Sequence, residues 1–593
     1  MKKTLVWTLA STIAAVFMFV FLQQYFAFNY FYEEQFRMFC FSADYAMPLL
    51  AEPAGAVEYA SSFIIQFFVH NYVGAAVAAA LWLASTAALR HLCLRLYGGR
   101  DLWLAYLLPA MPLVWAEASA SYHLEATVAF LLVVVVLAGY VGIRRCSLRW
   151  ALAVPMVWLT FHLTGSSALL MAVAIAVIEI QLTPWRKALP FAVAIMAIAV
   201  AAPLAAFYSG FSDKPLADLL SPSLYYQMLA PDTTAVWAAW ALLVAVIVAV
   251  IAIGWVVRRA PVMQAKAAIA VAAVLQIIAA STVFVYGAKH YNDAGEYAVK
   301  EFDHYANTQQ WDRLLASPRL RASQNTFHAC YMNLALARSG MLVNRLTTTP
   351  QNGIQGLWLQ WNKQMQVSAL LSDVAYTMGN VALAQNLAFE AMTGCERGIN
   401  PRMLLRLVKT NIIYGAYPVA EKYIKLLQHT YAYRSSADYY AQFLFDDSKV
   451  DADSELGNLR RCLSRLDGLT NIGMAPDDLI DIMRSNTSFR PAFEYYIAFC
   501  LLSGDLATLS LMLDEFVGAP ALSPMPRPCQ EAVLMMHEAN PEQARAYGVD
   551  DSVMEQFQQF RALARQRRSN PSAAQQLRFN FGNTYWYYYL SRQ

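Results

Sequence analysis

The chain has 593 residues, of which 58% are hydrophobic and 14% charged, and its net charge is +3. Soluble globular chains carry roughly 25% charged residues. The deficit excludes an ordinary water-soluble enzyme and a disordered chain, and the lack of a basic surplus excludes nucleic acid as a partner. The charge is also unevenly placed, with 16 Lys/Arg and 12 Asp/Glu up to Lys289 against 28 and 29 beyond it. A charge-poor first half is therefore joined to a second half of ordinary polarity.

A helix that crosses a bilayer needs about 20 mostly apolar residues. Thr4–Phe28 is the first such run. It follows Lys2 and Lys3, is too long for a signal-peptide core and ends without a small-x-small cleavage site, so it predicts an uncleaved anchor. Further runs at 72–89, 102–116, 124–143, 150–163, 167–182, 188–208, 235–257 and 267–288 bring the expected crossings to nine. The basic residues supply an independent check, since Lys and Arg concentrate on the cytoplasmic side. Five clusters hold 13 of them (Lys2/Lys3, Arg90/Arg95/Arg100, Arg144/Arg145/Arg149, Arg186/Lys187 and Arg258/Arg259/Lys266), against Arg37, Lys214 and Lys289 elsewhere in this half. Cytoplasmic clusters separated by two crossings each put the N-terminus inside and everything after Lys289 outside. The pattern predicts a multi-pass cytoplasmic (inner) membrane protein with a periplasmic second half. The stretch 150–182 is tight for two full spans, and its Thr164–Ser167 turn is expected partly within the membrane, where such a turn must be enclosed by protein or a water-filled cavity.

Two external loops are long. Residues 29–71 carry Glu33, Glu34, Asp44, Glu52 and Glu58. Within them, residues 58–70 place Phe63, Ile64, Phe67 and Phe68 on one helical face, which suits either a helix lying along the membrane interface or the start of the second span. Residues 210–234 contain Pro215, Pro222 and Pro231, which mark an irregular path.

From Tyr291 the pattern becomes amphipathic helices with short breaks. Gly379 and Gly415 stand 36 residues apart, each followed five residues later by alanine (Ala384, Ala420), with weaker copies at Gly504 and Gly340. A glycine permits the tight turn of a helical hairpin, and a small alanine lets the two helices approach closely. This period resembles the tetratricopeptide repeat, and the resemblance implies a helical solenoid. The fold class is all-α: a membrane domain over 1–289, a repeat domain over 290–568 and an aromatic tail over 569–593. The tail carries Tyr585 to Tyr589 with Trp586, residues suited either to a membrane interface or to packing as a last helix of the repeats.

The eight cysteines form no C-x-x-C pair, and nucleotide-binding, zinc-protease and serine-hydrolase motifs are missing. The five in the second half are an odd number at wide spacing, which predicts buried apolar side chains in place of a disulfide framework. Acids at the external boundary are the remaining chemistry: Glu33, Glu34 and Asp44 after the first span; Glu117 and Glu125, with His123, between the third and fourth; and Asp213, Asp218 and Asp232 later. Acids on one membrane face suit a divalent metal bridging a lipid pyrophosphate, or a carboxylate that takes a proton from an acceptor hydroxyl. The bland reading is that external loops are simply left acidic, and that Glu125 favours a helix N-terminus.

The layout of first span, acidic loop, interfacial helix and return span, together with the segment from Leu94 to Val136, resembles the start of GT-C-type glycosyltransferases. That resemblance implies transfer from a polyprenyl-phosphate-linked sugar on the outer face. Its acids would be Glu33, Glu34 or Asp44 in the first loop and Glu125, with Glu117 beside it, at the fourth span. Residues 33–37 and the FGNTYWYYY tail are also similar to a family of multi-spanning proteins known only as a domain of unknown function. The competing expectation is a non-enzymatic scaffold whose repeats bind an envelope protein or peptide through a groove lined by Tyr, Arg and Asn.

Overall fold

The computed structural model describes residues 2–96, 105–119, 121–226, 231–259, 266–395, 398–464, 475–538, 540–567 and 571–592. Arg100, the first residues of the 102–116 run and the Ser569-Asn570 break lie outside the described residues. Among the described residues the fold is helical and no strand occurs. The chain divides into two units, residues 1–297 with 429–432, and residues 298–428 with 433–593.

The first unit is built on α1 (Lys2–Tyr25), α2 (Ala27–Phe36), α3 (Ala43–Ala51), α4 (Gly55–Ile65), α5 (Val73–Leu96), α6 (Met111–Ala116), α7 (Glu125–Gly142), α8 (Cys146–Thr164), α9 (Ser167–Leu182), α10 (Trp185–Tyr208), α11 (Leu216–Leu220), α12 (Thr234–Arg259) and α13 (Lys266–His290). Among the described residues, seven helices are long and apolar enough to cross a membrane: α1, α5, α7, α8, α10, α12 and α13. Two of the nine predicted runs form shorter elements. Residues 105–116 give a single 3₁₀ turn followed by the six-residue α6, and α9 has 16 residues. Pro109 lies between the two pieces, where a proline interrupts a continuous helix, whereas Pro112 sits in the first turn of α6, where its missing donor is tolerated.

The core of this unit is the contact of α7 with α5 and α9, closed by α10 and α12. Phe130, Val133, Val134 and Leu137 of α7 and Met171, Ile175 and Ile178 of α9 are sealed from solvent. Outward-facing apolar residues such as Ile13 and Phe17 of α1, Val193 of α10 and Leu275 and Ile278 of α13 remain exposed. Helices that are apolar inside and outside fit a lipid surround.

The segment predicted as either an interfacial helix or the start of the second span is α4 with a following 3₁₀ turn, Gln66–Val69. Its polar residues face inward: Glu58, Ser61, Ser62 and Gln66 are buried, whereas Phe63 and Val69 are exposed. The turn between α8 and α9 is enclosed by protein. Gly165 takes φ +69°, and a Cβ there would lie 2.3 Å from Leu224. Thr164, Ser166 and Ser167 are buried around it.

In the second unit, Met365–Met378 packs on Val381–Thr393, that helix on Pro401–Ile413, and that one on Tyr417–Gln428. Gly379, Gly415, Gly504 and Gly340 all adopt positive φ at the turns where the repeat spacing set them. Ala384 and Ala420 are fully buried between helices. After Gly340 the second helix is only Leu342–Arg345, which accounts for the weak copy there. The aromatic tail packs into this unit as Pro571–Phe581 and Tyr585–Arg592. Tyr585 and Trp586 are wholly buried, and both donate to Glu531: the Tyr585 N–H to its carboxylate at 2.6 Å and the Trp586 Nε1–H to its carbonyl at 2.7 Å. All eight cysteines are free thiols, and only Cys146 is exposed.

Candidate functional site

Three of the five predicted site acids meet at one end of the first unit. Phe26, at φ −126° and ψ 0°, breaks the first helix, so α2 sets off on its own path. It lies against the 117–125 turn. The Tyr30 hydroxyl donates to Glu117 Oε2 at 2.9 Å, and the Asn29 amide to the Glu117 carbonyl at 3.1 Å. Glu33 accepts the Leu124 N–H at 3.4 Å, and Arg37 forms an ion pair with Glu125. The His123 N–H donates to the Tyr225 carbonyl at 3.1 Å, which ties the later external loop to the same turn.

The other two acids stand apart. Glu34, on α2, is buried, and its displaced pKa owes nothing to a neighbouring charge. Asp44 is exposed in the first turn of α3. Burial pushes the Glu34 carboxyl up to about 8. Glu117 also rises to about 8, through burial first and the Glu33 charge as well, although the Tyr30 hydrogen bond pulls it down. Burial, with Arg37 and Lys214, holds His123 neutral. Glu117 is thus favoured in its protonated form, and Glu125 is held in an ion pair by Arg37. Among the described residues no group of three or more His, Cys, Asp or Glu is placed to hold a metal ion.

A second site, absent from the sequence-based candidates, lies within the second unit. A cavity of about 400 Å³ is lined by side chains that include Arg338, Arg402, Arg406, Lys409, Asp373 and Glu455, with the aromatic rings of Trp311, Tyr376, Tyr439 and Tyr440. The cations Arg402, Arg406 and Lys409 stand at i, i+4 and i+7 on Pro401–Ile413, one stripe of a helix. Asp373 joins two of them, accepting from Arg402 Nη2 at 2.5 Å and from Arg406 Nη2 at 2.6 Å. Behind Arg402, Asp303 accepts from Nη1 at 2.9 and 3.0 Å. Glu455 takes the Lys409 ammonium at 3.0 Å and the Tyr376 hydroxyl at 2.8 Å.

Arg406 lies 3.7 Å above the Tyr376 ring centre, a cation–π stack. Burial alone would raise the Asp373 carboxyl, but Arg402 and Arg406 outweigh it and hold the group below the usual carboxylate range. Burial lowers the Lys409 ammonium in spite of Glu455. The stripe itself is readable in PRMLLRLVKT. The acids that answer it come from 303, 373 and 455, and no local pattern connects them.

A helical chain with seven candidate spans and a separate unit of paired helices is a membrane-protein architecture. The chain belongs to the DUF6057 family, a family of unknown function, whose sequence model matches residues 2–592. No curated protein and no solved structure matches it.

Proposed function

We propose that this is a multi-pass inner-membrane protein that holds a tetratricopeptide-like binding module on the periplasmic side, and that the module recruits an envelope protein or peptide. The observation that carries the reading is the cavity beside Pro401–Ile413. At about 400 Å³ it falls within the size range of ligand sites, ~300–1,000 Å³, and it joins aromatic walls to a few fixed polar groups. Sequential pairing of helices through four left-handed glycines supports the repeat reading. A photo-crosslinking residue at Tyr439, which is half exposed at the cavity, is expected to give one discrete adduct in living cells. No adduct, or the same smear as from a position remote from the cavity, would sink the reading.

A glycosyltransferase using a lipid-linked sugar is the second reading. It is favoured by one observation, the meeting of α2 with the 117–125 turn, which brings Glu33, Glu117 and Glu125 to one place. Against it, Arg37 already neutralises Glu125, and the acids have no metal-binding arrangement among the described residues. The two readings part on Glu117→Gln. The binding module predicts that this variant complements a deletion strain; the transferase predicts a folded, inactive protein.

A further inference from the structure

The lining of the cavity in the second unit is not balanced in charge. Arg338, Arg402, Arg406 and Lys409 face only Asp373 and Glu455. Asp303, behind the wall, is spent on Arg402. Even with Asp303 counted, four cations meet three carboxylates. Asp373 is shared by two guanidinium groups, so each receives half of one charge.

The donors tell the same story. Arg406 spends Nη2 on Asp373, whereas its Nε and Nη1 have no acceptor among the described residues. Arg338 is exposed at the edge of the cavity, takes part in no ion pair among the described residues and lies 5.7 Å from the Trp311 ring centre. A low-dielectric concavity with a surplus of one sign concentrates ions of the other. Guanidinium donors stacked on aromatic rings are suited to planar oxyanions, because the ring fixes the fork while its edges stay available.

We propose that this cavity binds an oxyanion, a carboxylate or a phosphate monoester, carried on an otherwise neutral body that lies against Trp311, Tyr376 and Tyr440. Arg406 and Arg338 supply the charge that meets the oxyanion, and Arg402 and Lys409 set the field behind them. Asp373 acts as a positioning residue that holds Arg406 over the Tyr376 ring. The assignment rests on the binding-module reading and names the chemistry its partner must present.

The test is titration of the full chain, in detergent or nanodiscs, with glucose 6-phosphate, glucuronate, inorganic phosphate and neutral glucose, read by Trp fluorescence and thermal shift. At least one of the two charged sugars is expected to bind saturably while glucose does not, and added salt is expected to weaken that binding. Binding of glucose 6-phosphate and inorganic phosphate alone assigns a phosphate monoester; binding of glucuronate alone assigns a carboxylate.

Arg406→Gln keeps a planar group over Tyr376 and is expected to weaken binding about tenfold or more, as for the loss of one charge-assisted hydrogen bond. Arg338→Gln, at the exposed edge and free of ion pairs, keeps the fold and is expected to weaken it several-fold. The proposal is overturned if none of the anions binds, if glucose binds equally well, or if Arg338→Gln and a folded Arg406→Gln both bind like the parent. An adduct at Tyr439 with no anion binding leaves the binding module standing and removes this assignment. Anion binding with no adduct does the reverse.

Discussion

Arg149 and Glu179 of the first unit are a cation and an anion buried between α8 and α9. They form an ion pair, and each remaining donor or acceptor is answered. Trp150 Nε1, Tyr140 OH and Thr183 Oγ1 each donate to Glu179 at 2.8 Å, and Arg149 Nη1 donates to the Ile143 carbonyl at 3.2 Å. Breaking a buried pair from one side leaves an uncompensated charge and costs about 3–5 kcal/mol, whereas replacing both partners by apolar residues is nearly neutral. Glu179→Ala is therefore expected to lower the Tm sharply, and Arg149→Met with Glu179→Leu to restore only part of it, because Tyr140, Trp150 and Thr183 then lose their acceptor. Equal losses in the single and double variants would show that an uncompensated charge is not the source of the cost.

Glu34 behaves oppositely, since burial favours its neutral form. Its folded pKa of about 8 lies above the unfolded value of about 4.3. Its contribution is present in full below the unfolded value and lost progressively as pH rises through about 8. Between pH 6 and pH 9 the Tm of the parent is expected to fall, and that of Glu34→Gln to fall less. Parallel pH profiles would contradict this account.

At the scale of elements, the α8–α9 turn shows how an irregular segment between apolar helices is made tolerable. Tyr225, from the loop after α11, inserts its hydroxyl there. It accepts the Ser167 N–H at 3.2 Å and donates to the Thr164 carbonyl. Ser167 Oγ donates to Thr164 Oγ1 at 2.7 Å, which donates to the Thr160 carbonyl at 2.7 Å. Tyr225→Phe orphans a buried donor and a buried acceptor, at about 1–3 kcal/mol for each group left unsatisfied. It is expected to lower the Tm and to speed amide exchange across 164–168, and unchanged exchange there would refute the role.

The turn was readable because Thr-Gly-Ser-Ser breaks an apolar run, and the four hairpin glycines were readable because only a residue without Cβ adopts their φ at no cost. Glu179 was not, being one acid inside a uniformly apolar segment. Arg149 sat in a basic cluster that reads as a solvated loop, although it points into protein. The acids at 33, 117 and 125 were singled out by type and position. Their partners Tyr30 and Arg37 were not, because pairing across about 90 residues leaves no local trace. The inward polar face of α4 escaped for a different reason: amphipathic patterning gives the face but not which side meets protein.

For the whole molecule, the proposed sidedness draws its support from contacts within the first unit. Tyr30 and Arg37 hold Glu117 and Glu125, the Ala54 N–H donates to the His162 carbonyl, and Tyr225 closes on Thr164 and Ser167, so these segments share one face. Arg95 reaches the Ala138 carbonyl and Arg149 reaches Thr183, which groups the basic ends of α5, α7, α8 and α9 on the other. If only the seven long helices crossed, residues 29–37 and 117–125 would lie on opposite sides of the bilayer, which their hydrogen bonds forbid. Under the proposed sidedness the short 105–116 and α9 segments would therefore traverse as well, shielded by neighbouring helices.

Both counts are odd and send the second unit to the same side. They differ at Cys146, which the seven-crossing arrangement puts outside and the nine-crossing one inside. Because Cys146 is the only exposed thiol of the chain, a membrane-impermeant maleimide reads this directly. Intact cells are expected to leave the parent unlabelled until the membrane is opened, whereas Asp213→Cys, at an exposed position in the external loop, is expected to label at once. Labelling of the parent in sealed cells would overturn the nine-crossing arrangement.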